Sequence, residues 1–153
     1  MSALTDELDA VPLLAALSAG QRAALAGISR IEEYAEGTRL FDEGGPADRC
    51  WVLLSGCVAV DTPGPERDRV VIQSVGPHEL LGWSWLVPPH RWHFGATVVR
   101  PTRAVVMDTD RLRVLAQEDT ALGYRLSTAL LDALLNRLQG TRIRLLDLYR
   151  SRP

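Results

Sequence analysis

The residues best suited to do chemistry lie between Gly82 and Val98. This segment holds three of the four tryptophans, two of the three histidines and an adjacent pair of prolines. Rigid aromatic and proline side chains fix a loop without regular hydrogen bonds, which is typical of a crossover that carries a binding site. The alternative interpretation is an aromatic plug that closes one end of a β-barrel.

Patterns for catalysis or metal binding are weak. His78, His90 and His93 lack the spacing of a metal site in a β-barrel, and a single histidine in an aromatic loop is more often structural than a haem ligand. The serines have no neighbouring His–acid pattern, and Gly-x-Ser-x-Gly does not occur. We therefore expect that the protein is not an enzyme and that it binds no metal.

The composition is that of one globular domain. The chain has 153 residues, of which 46% are hydrophobic and 24% charged. A net charge of -2 gives no indication of a nucleic-acid or membrane partner. The sequence shows neither a secretory leader nor an apolar run near the roughly 18 residues that a membrane span needs. We expect a cytoplasmic protein.

The two cysteines, Cys50 and Cys57, lie seven residues apart around one strand-like run. An odd separation places their side chains on opposite faces of a regular strand, so a disulfide between them is not expected. The pattern favours buried free thiols.

The hydrophobic pattern around the aromatic loop changes twice along the chain, from a helical period to a strand-like period and back to a helical one. Residues 4–29 are predicted to be helical, with a break and a new N-cap at Ser18. Seven or eight short strands, separated by glycine and proline turns, predict a sandwich or jelly roll rather than βαβ units. A short helix over residues 110–117 and a long helix over residues 120–149 follow. The strand-like runs are residues 31–35, 39–41, 50–54, 57–61, 69–75, 96–100 and 103–108.

The long helix is apolar on two faces, so it needs two partners, its own barrel and a second copy of itself. We expect a parallel homodimer through this helix. The alternative is a monomer whose helix folds wholly onto the barrel. The first face is a heptad seam formed by Tyr124, Ser127, Leu131, Leu134, Leu138, Thr141, Leu145 and Leu148, and the second is formed by Leu126, Ala129, Leu130 and Ala133.

The order of these pieces resembles the cyclic-nucleotide-binding domain of the catabolite activator protein superfamily. The resemblance implies a mainly β fold with flanking helices, an eight-stranded jelly roll (double-stranded β-helix) with a helix between two strands, followed by a long dimerisation helix. Residues 1–118 would form the N-terminal helices and jelly roll, and residues 119–153 the dimerisation helix. The residues that carry the resemblance are Pro12-Leu13-Leu14, Gly37, Phe41-x-x-Gly44, Ala47-Asp48, Leu53-Leu54-Ser55-Gly56-Cys57-Val58, Gly76-Pro77 and Gly82.

In that superfamily, the segment from Gly82 to Thr97 is the phosphate-binding cassette. A glutamate accepts a hydrogen bond from the ribose, and an arginine neutralises the cyclic phosphate. Here Trp83 stands at the position of the glutamate and Phe94 at that of the arginine. A charge-assisted hydrogen bond contributes roughly 1.5–3 kcal/mol and an unpaired buried phosphate costs about 3–5 kcal/mol, so the loss of both contacts would weaken a micromolar site to about millimolar or worse. The residues that fit the pattern are Gly82, Ser84, Gly95, Ala96 and Thr97.

Other groups could partly replace the lost contacts to the ribose and the phosphate. Arg91 is the one cation within the cassette, and the N-terminus of the expected cassette helix could hold an anion weakly. Thr141 and Arg142 stand where a threonine and a serine of the superfamily's dimer helix meet the purine. Trp83, Trp85, Trp92 and Phe94 either fill the pocket or line it for a flat apolar or aromatic small molecule. The candidate ligand-binding residues are Gly82, Trp83, Ser84, Trp85, Arg91, Phe94, Gly95, Ala96, Thr97, Thr141 and Arg142.

We expect a stand-alone regulatory or adaptor module with an altered, aromatic pocket. One alternative is a genuine cyclic AMP or cyclic GMP sensor, or a sensor of another small ligand. The other is a structural dimer that docks a protein partner through its tryptophan-rich tip. Activators of the superfamily continue into a helix-turn-helix, whereas this sequence stops at Pro153, so we expect no direct contact with nucleic acid.

Overall fold

The computed structural model describes residues 3–66 and 68–150, so the ends of both predicted segments, at residues 1 and 153, lie outside it. Its centre is an antiparallel sheet of six strands, which we call the barrel, flanked by helices and followed by one long helix. This arrangement confirms the predicted fold class. The elements are α1 (Ala3–Asp9), a 3-10 turn (Pro12–Leu14), α2 (Ala19–Gly27), β1 (Ser29–Tyr34), β2 (Arg39–Phe41), β3 (Arg49–Pro63), β4 (Arg69–Val75), β5 (Leu80–Leu81), β6 (Gly95–Asp108), α3 (Thr109–Glu118) and α4 (Thr120–Arg150).

The N-terminal helical region is divided where the sequence places Pro12. Val11 is extended, since a residue before proline is disfavoured in the α region, and Pro12 then starts a separate 3-10 turn. The predicted cap of the second helix is confirmed. The Ser18 hydroxyl accepts a hydrogen bond from the Gln21 backbone N–H at 3.1 Å, and the Gln21 side chain accepts one from the Ser18 N–H at 2.9 Å.

The expected seven or eight strands are six. β3 and β6 each join two of the seven predicted runs, which leaves five, and the short strand β5 was not predicted. The turn signals at Gly56 and Pro101 produce irregularities in the pairing of β3 with β6, where Ser55 opposes Arg103 and Cys57 opposes Arg100. The two irregularities lie opposite each other, so both strands bend together and continue. Sequence reasoning read each bend as the end of a strand.

The core fills the space between the barrel and the helices. Trp51 on β3 is fully buried, and Leu122, Leu126 and Leu130 of α4 are buried in the same core, where α4 lies closest to α3 and the 3-10 turn. The bounds of α3 and α4 agree with the two predicted helices within one residue. Asp108 caps α3 by accepting hydrogen bonds from two backbone N–H groups.

Both cysteines are buried free thiols, as predicted. Burial raises the pKa of the Cys50 thiol to about 12, so its reactive thiolate form is suppressed at neutral pH. Among residues 3–66 and 68–150, no helix combines the length and apolar character needed to cross a bilayer.

Gly56 gives a test of the bend in β3. Its φ of +96° and a Cβ that would lie 2.5 Å from the Pro101 carbonyl oxygen both oppose any side chain. Gly37 has a similar φ of +89° but open space around it. Gly37→Ala should cost about 1–2 kcal/mol of unfolding free energy from φ alone, and Gly56→Ala should cost roughly 1–3 kcal/mol more through overpacking.

Urea denaturation of the two variants and the parent measures this difference. Equal losses for both glycines would show that the close approach of β3 to β6 is not a constraint.

Candidate functional site

The expected cassette, from Gly82 to Thr97, consists of the turns and bends that connect β5 to β6 and of the first three residues of β6. It contains no helix, so the expected anion site at a cassette helix N-terminus is wrong. A helix is disfavoured here because the adjacent Pro88 and Pro89 have no backbone N–H to donate. Trp92 packs against Gly82. A Cβ at Gly82 would lie 3.0 Å from the Trp92 ring, and the backbone there has a φ of +89°. Glycine at this position lets the tryptophan turn inward.

Trp92 occupies the inside of the barrel. Its ring lies parallel to that of Phe41, with centroids 3.9 Å apart, and 5.9 Å from that of Trp51. Its backbone is held by two hydrogen bonds, from Gly44 N–H to its carbonyl oxygen and from its own N–H to the Gly45 carbonyl oxygen. The two rings are therefore stacked.

The free space beside these rings is a cavity of about 50 Å³. Ligand pockets are usually about 300–1,000 Å³, and a single water needs roughly 10–15 Å³ of such space. The cavity therefore holds a few waters or a molecule of a few heavy atoms. Its lining residues are Phe41, Val60, Gln73, Leu81, Gly82, Trp83, Ser84, Trp92, Phe94 and Arg137.

Trp83, at the place of the superfamily glutamate, packs against a cation. The Arg137 guanidinium of α4 lies over the Trp83 ring, 4.3 Å from its centroid, and donates a hydrogen bond to the Leu80 carbonyl oxygen at 2.6 Å. A Glu79 carboxylate oxygen is 3.8 Å away. Burial lowers the pKa of the Arg137 guanidinium, against the opposing effect of Glu79. A cation–π contact thus ties α4 to the cassette.

The far end of the cassette adjoins an ion network. A Cβ on Gly95 would lie 2.7 Å from the Arg39 guanidinium carbon. Arg39 donates hydrogen bonds to the Asp61 carboxylate at 2.7 Å and to the Thr97 hydroxyl at 2.9 Å. Arg69 donates to the same Asp61 carboxylate at 2.7 Å. The cations nearest to the expected phosphate position are therefore already paired.

Asp61 is the centre of that network, and its side chain is nearly inaccessible. Burial alone would raise the pKa of its carboxyl, but the hydrogen bonds from Arg39 and Arg69 outweigh burial and hold the pKa below its ordinary value of 3.8. The carboxylate is charged at neutral pH, and it stabilises the two guanidinium groups around it.

Arg91 and Trp85 lie away from the cavity. The Arg91 guanidinium donates to the Gly44 carbonyl oxygen at 2.8 Å, so it is tied to the adjacent loop. Trp85 is buried, and its carbonyl oxygen lies 2.8 Å from His90 Nδ1 and accepts a hydrogen bond from Arg113 at 3.0 Å. Within the described part of the chain, its indole N–H has no hydrogen-bond partner.

Thr141 and Arg142 are exposed on α4. The Thr141 hydroxyl donates to the Arg137 carbonyl oxygen at 3.0 Å, one turn earlier in the helix. Neither residue lines the cavity. Of the candidate ligand-binding residues, the structure brings Gly82, Trp83, Ser84 and Phe94 to the cavity, and the buried Ala96 lies on β6 paired with Val60.

Sequence reasoning missed Arg137, Gln73 and Phe41 as cavity residues. For Arg137 a signal was present, because it continues the stripe of Leu126, Leu130 and Ala133 at helical spacing and so faces the barrel. For Gln73 on β4 and Phe41 on β2, the strand pattern carries no sign that they meet across the interior.

Comparison with known proteins identifies close relatives of this architecture. The model of the cyclic nucleotide-binding domain family matches residues 31–119. The CRP-like cAMP-activated global transcriptional regulator of Mycobacterium tuberculosis is 30% identical over 116 residues, which are 76% of this chain and 50% of that protein. The chain thus spans about half the length of the curated relatives that it matches.

Two solved structures are similar over most of the chain. A candidate cyclic nucleotide-binding protein from Geobacter metallireducens has a TM-score of 0.80 and 28% identity, covering 90% of this chain and 99% of that one. The N-terminal domain of a transcriptional regulator from Streptomyces coelicolor has a TM-score of 0.67 and 30% identity, covering 89% and 94%.

Removal of the Asp61 charge should destabilise the fold in a pH-dependent way. Because its pKa is lowered in the folded state, the stabilisation is present above 3.8 and is lost as the pH falls through the folded-state pKa. Asp61→Asn should cost roughly 1.5–3 kcal/mol at pH 7, the range of charge-assisted hydrogen bonds.

Urea denaturation of both proteins between pH 7 and pH 2.5 measures this loss. Asp42→Asn, which removes an exposed carboxylate from the same Arg39, is the control and should change stability little. A loss from Asp61→Asn that persists undiminished at pH 2.5 would contradict the role assigned to the charge.

Proposed function

The chain belongs to the cyclic nucleotide-binding domain family, and we propose that it is a regulatory module whose nucleotide pocket is filled by its own aromatic side chains. The observation that carries the proposal is the stack of Trp92 on Phe41 inside the barrel, which leaves a cavity of about 50 Å³. A cyclic nucleotide needs a pocket several times larger.

The lack of free charged groups at the site supports the same proposal. Trp83 and Phe94 stand where the family's acid and base are expected, and Arg39 beyond them is neutralised by Asp61. A phosphate entering this site would meet apolar rings without a free cation at its expected position, at a cost of about 3–5 kcal/mol. We propose that the module does not respond to cyclic AMP or cyclic GMP.

The geometry disfavours a cyclic-nucleotide sensor and a structural dimer that docks a partner through the tryptophan-rich tip. A sensor that relied on Arg91, Thr141 and Arg142 would need three side chains that lie outside the cavity. Docking through a tryptophan-rich tip would need exposed rings, whereas Trp85 and Trp92 are buried. The exposed apolar side chains of that loop are Leu86, Val87 and Phe94.

We also propose that two copies associate in parallel through the outward face of α4. Leu131, Leu138 and Leu145 repeat every seven residues and are 59%, 57% and 51% exposed. Beyond Arg137, the helix has no buried residue in the described chain, although it carries several large apolar side chains. A second copy of the same seam would cover them by heptad packing.

The relatives' names describe regulators rather than enzymes, so we propose a module without catalytic activity. The Mycobacterium tuberculosis relative regulates transcription, and this chain spans half of it, so DNA binding does not transfer with the similarity. The expectations of a cytoplasmic location and of no direct nucleic-acid contact stay predictions.

Calorimetry with cyclic AMP and cyclic GMP tests the proposed function. The parent should show no binding below about 1 mM. Trp83→Glu with Phe94→Arg restores both charged groups but leaves the cavity filled, so affinity should stay weak. Adding Trp92→Ala should open the interior and strengthen binding at least tenfold, since each charge-assisted contact contributes roughly 1.5–3 kcal/mol.

Circular dichroism establishes that each variant is folded before titration. Micromolar binding by the parent would overturn the proposal. Weak binding by a folded triple variant would show that the cassette alignment is wrong.

The proposed dimer is tested by two substitutions on opposite faces of α4. Leu138 and Ile143 are 57% and 59% exposed, and they lie about 140° apart around the helix. Leu138→Asp should yield a monomer, because a charge in the seam is left unpaired and buried. Ile143→Asp should remain dimeric.

Light scattering coupled to size-exclusion chromatography reads the mass of each. A monomeric parent, or equal disruption by both substitutions, would exclude the seam as the interface.

A further inference from the structure

Arg137 is the one charged side chain that lines the barrel cavity in the described chain. Its guanidinium has five N–H donors, and the structure gives it a single hydrogen bond within the described residues, to the Leu80 carbonyl oxygen. The nearest carboxylate, that of Glu79, is 3.8 Å away and half exposed. A mostly buried cation with this little pairing attracts an anion.

The other lining residues are mostly apolar, with two neutral polar side chains, Gln73 and Ser84. Phe41, Val60 and Leu81 form hydrocarbon walls, and the Gln73 side chain has no hydrogen-bond partner in the described part of the chain. The volume of about 50 Å³ is that of a few heavy atoms. The site therefore combines one positive charge, one amide, one hydroxyl and a short apolar space.

We propose that this cavity binds a short-chain monocarboxylate of two or three carbons, with its carboxylate on Arg137 and its alkyl end against Phe41, Val60 and Leu81. The inference rests on the proposed function, since it requires that the rings exclude a nucleotide. A planar guanidinium pairs with a carboxylate through two parallel hydrogen bonds, and one cation balances one negative charge. The amide of Gln73 donates to the same carboxylate.

The size of the cavity sets the specificity. Acetate and propionate, with four and five heavy atoms, match the cavity of about 50 Å³, whereas a longer chain would have to displace a buried ring that stacks on Phe41. Affinity should rise from formate to propionate as apolar surface is buried and should fall at hexanoate. A ligand lying on the outer surface would instead bind more tightly with every added methylene.

Glu79 competes with the ligand for the same cation. Its other carboxylate oxygen accepts a hydrogen bond from the Gly76 N–H at 3.0 Å, a contact that a glutamine keeps. Glu79→Gln therefore removes the competing charge and preserves the turn. This variant should bind propionate more tightly than the parent does.

The experiment titrates the full chain with sodium formate, acetate, propionate, butyrate and hexanoate at pH 7 and constant ionic strength. Calorimetry gives affinity, and tryptophan fluorescence reports on Trp83, which touches the guanidinium. We expect saturable binding of propionate with a Kd of about 1 mM, typical of so small a ligand. Arg137→Gln should weaken it at least tenfold, and exposed Arg144→Gln should not change it.

Two further variants locate the ligand without altering Arg137. Gln73 lines the barrel cavity, whereas Asn136 lines a separate cleft on the other side of Arg137. Gln73→Leu should weaken propionate binding several-fold, and Asn136→Leu should leave it unchanged. The reverse result places the anion in the outer cleft and overturns the proposal.

Absence of saturable binding by the folded parent also overturns it, as does affinity that keeps rising through hexanoate. Cyclic AMP is titrated in parallel. Micromolar cyclic AMP binding defeats the proposed function itself, whereas failure of both ligands defeats only the carboxylate proposal.

Discussion

The interior of the barrel depends on one steric relation, the contact of the Trp92 ring with the bare backbone of Gly82. Any side chain at Gly82 would press on that ring, and the positive φ there also favours glycine. Because Gly82 leaves room for it, the Trp92 ring stacks on Phe41 and lies near Trp51. Three aromatic side chains therefore share the space in which family members are expected to place a ligand. Burying this much apolar surface also stabilises the barrel. The glycine that the family pattern retains thus serves packing here.

The arginines near the cassette lie beside these aromatic rings. A cation beside stacked rings loses hydration, and each guanidinium near the cassette has a partner. Arg39 is held by Asp61, Arg91 by the Gly44 carbonyl oxygen and Arg137 by the Trp83 ring. Arg39 is paired with a buried carboxylate, and Arg91 is exposed to solvent. Arg137 differs, because it is mostly buried and, apart from one hydrogen bond to the Leu80 carbonyl oxygen, its main contact is a ring face, which uses no N–H donor. That difference makes Arg137 the one cation at the cavity able to bind something further.

Much of the fold could be predicted from the sequence, and the limits have physical causes. Helix boundaries followed from local chemistry, as in the capping box at Ser18, and the apolar stripe of Leu126 and Leu130 correctly predicted the buried face of α4. The strand count failed because Gly56 and Pro101 bend two strands that remain paired, and pairing is not local. At the site, the sequence showed that Trp83 and Phe94 replace the family's charged residues. It did not show which side chain would fill the interior of the barrel. That outcome depends on Phe41, 51 residues before Trp92.

The long helix α4 contacts the cassette with one face and carries the leucine seam on another. Its inner face ends at Arg137, on the Trp83 ring, and its outer face carries the leucine seam one residue later at Leu138. Side chains one position apart point about 100° from each other around a helix, so a partner packed on the seam touches the same turn that holds the cassette. A shift of that turn would change the distance from Arg137 to Trp83 and to the cavity. Association through the seam would therefore affect the barrel cavity through this single turn of α4.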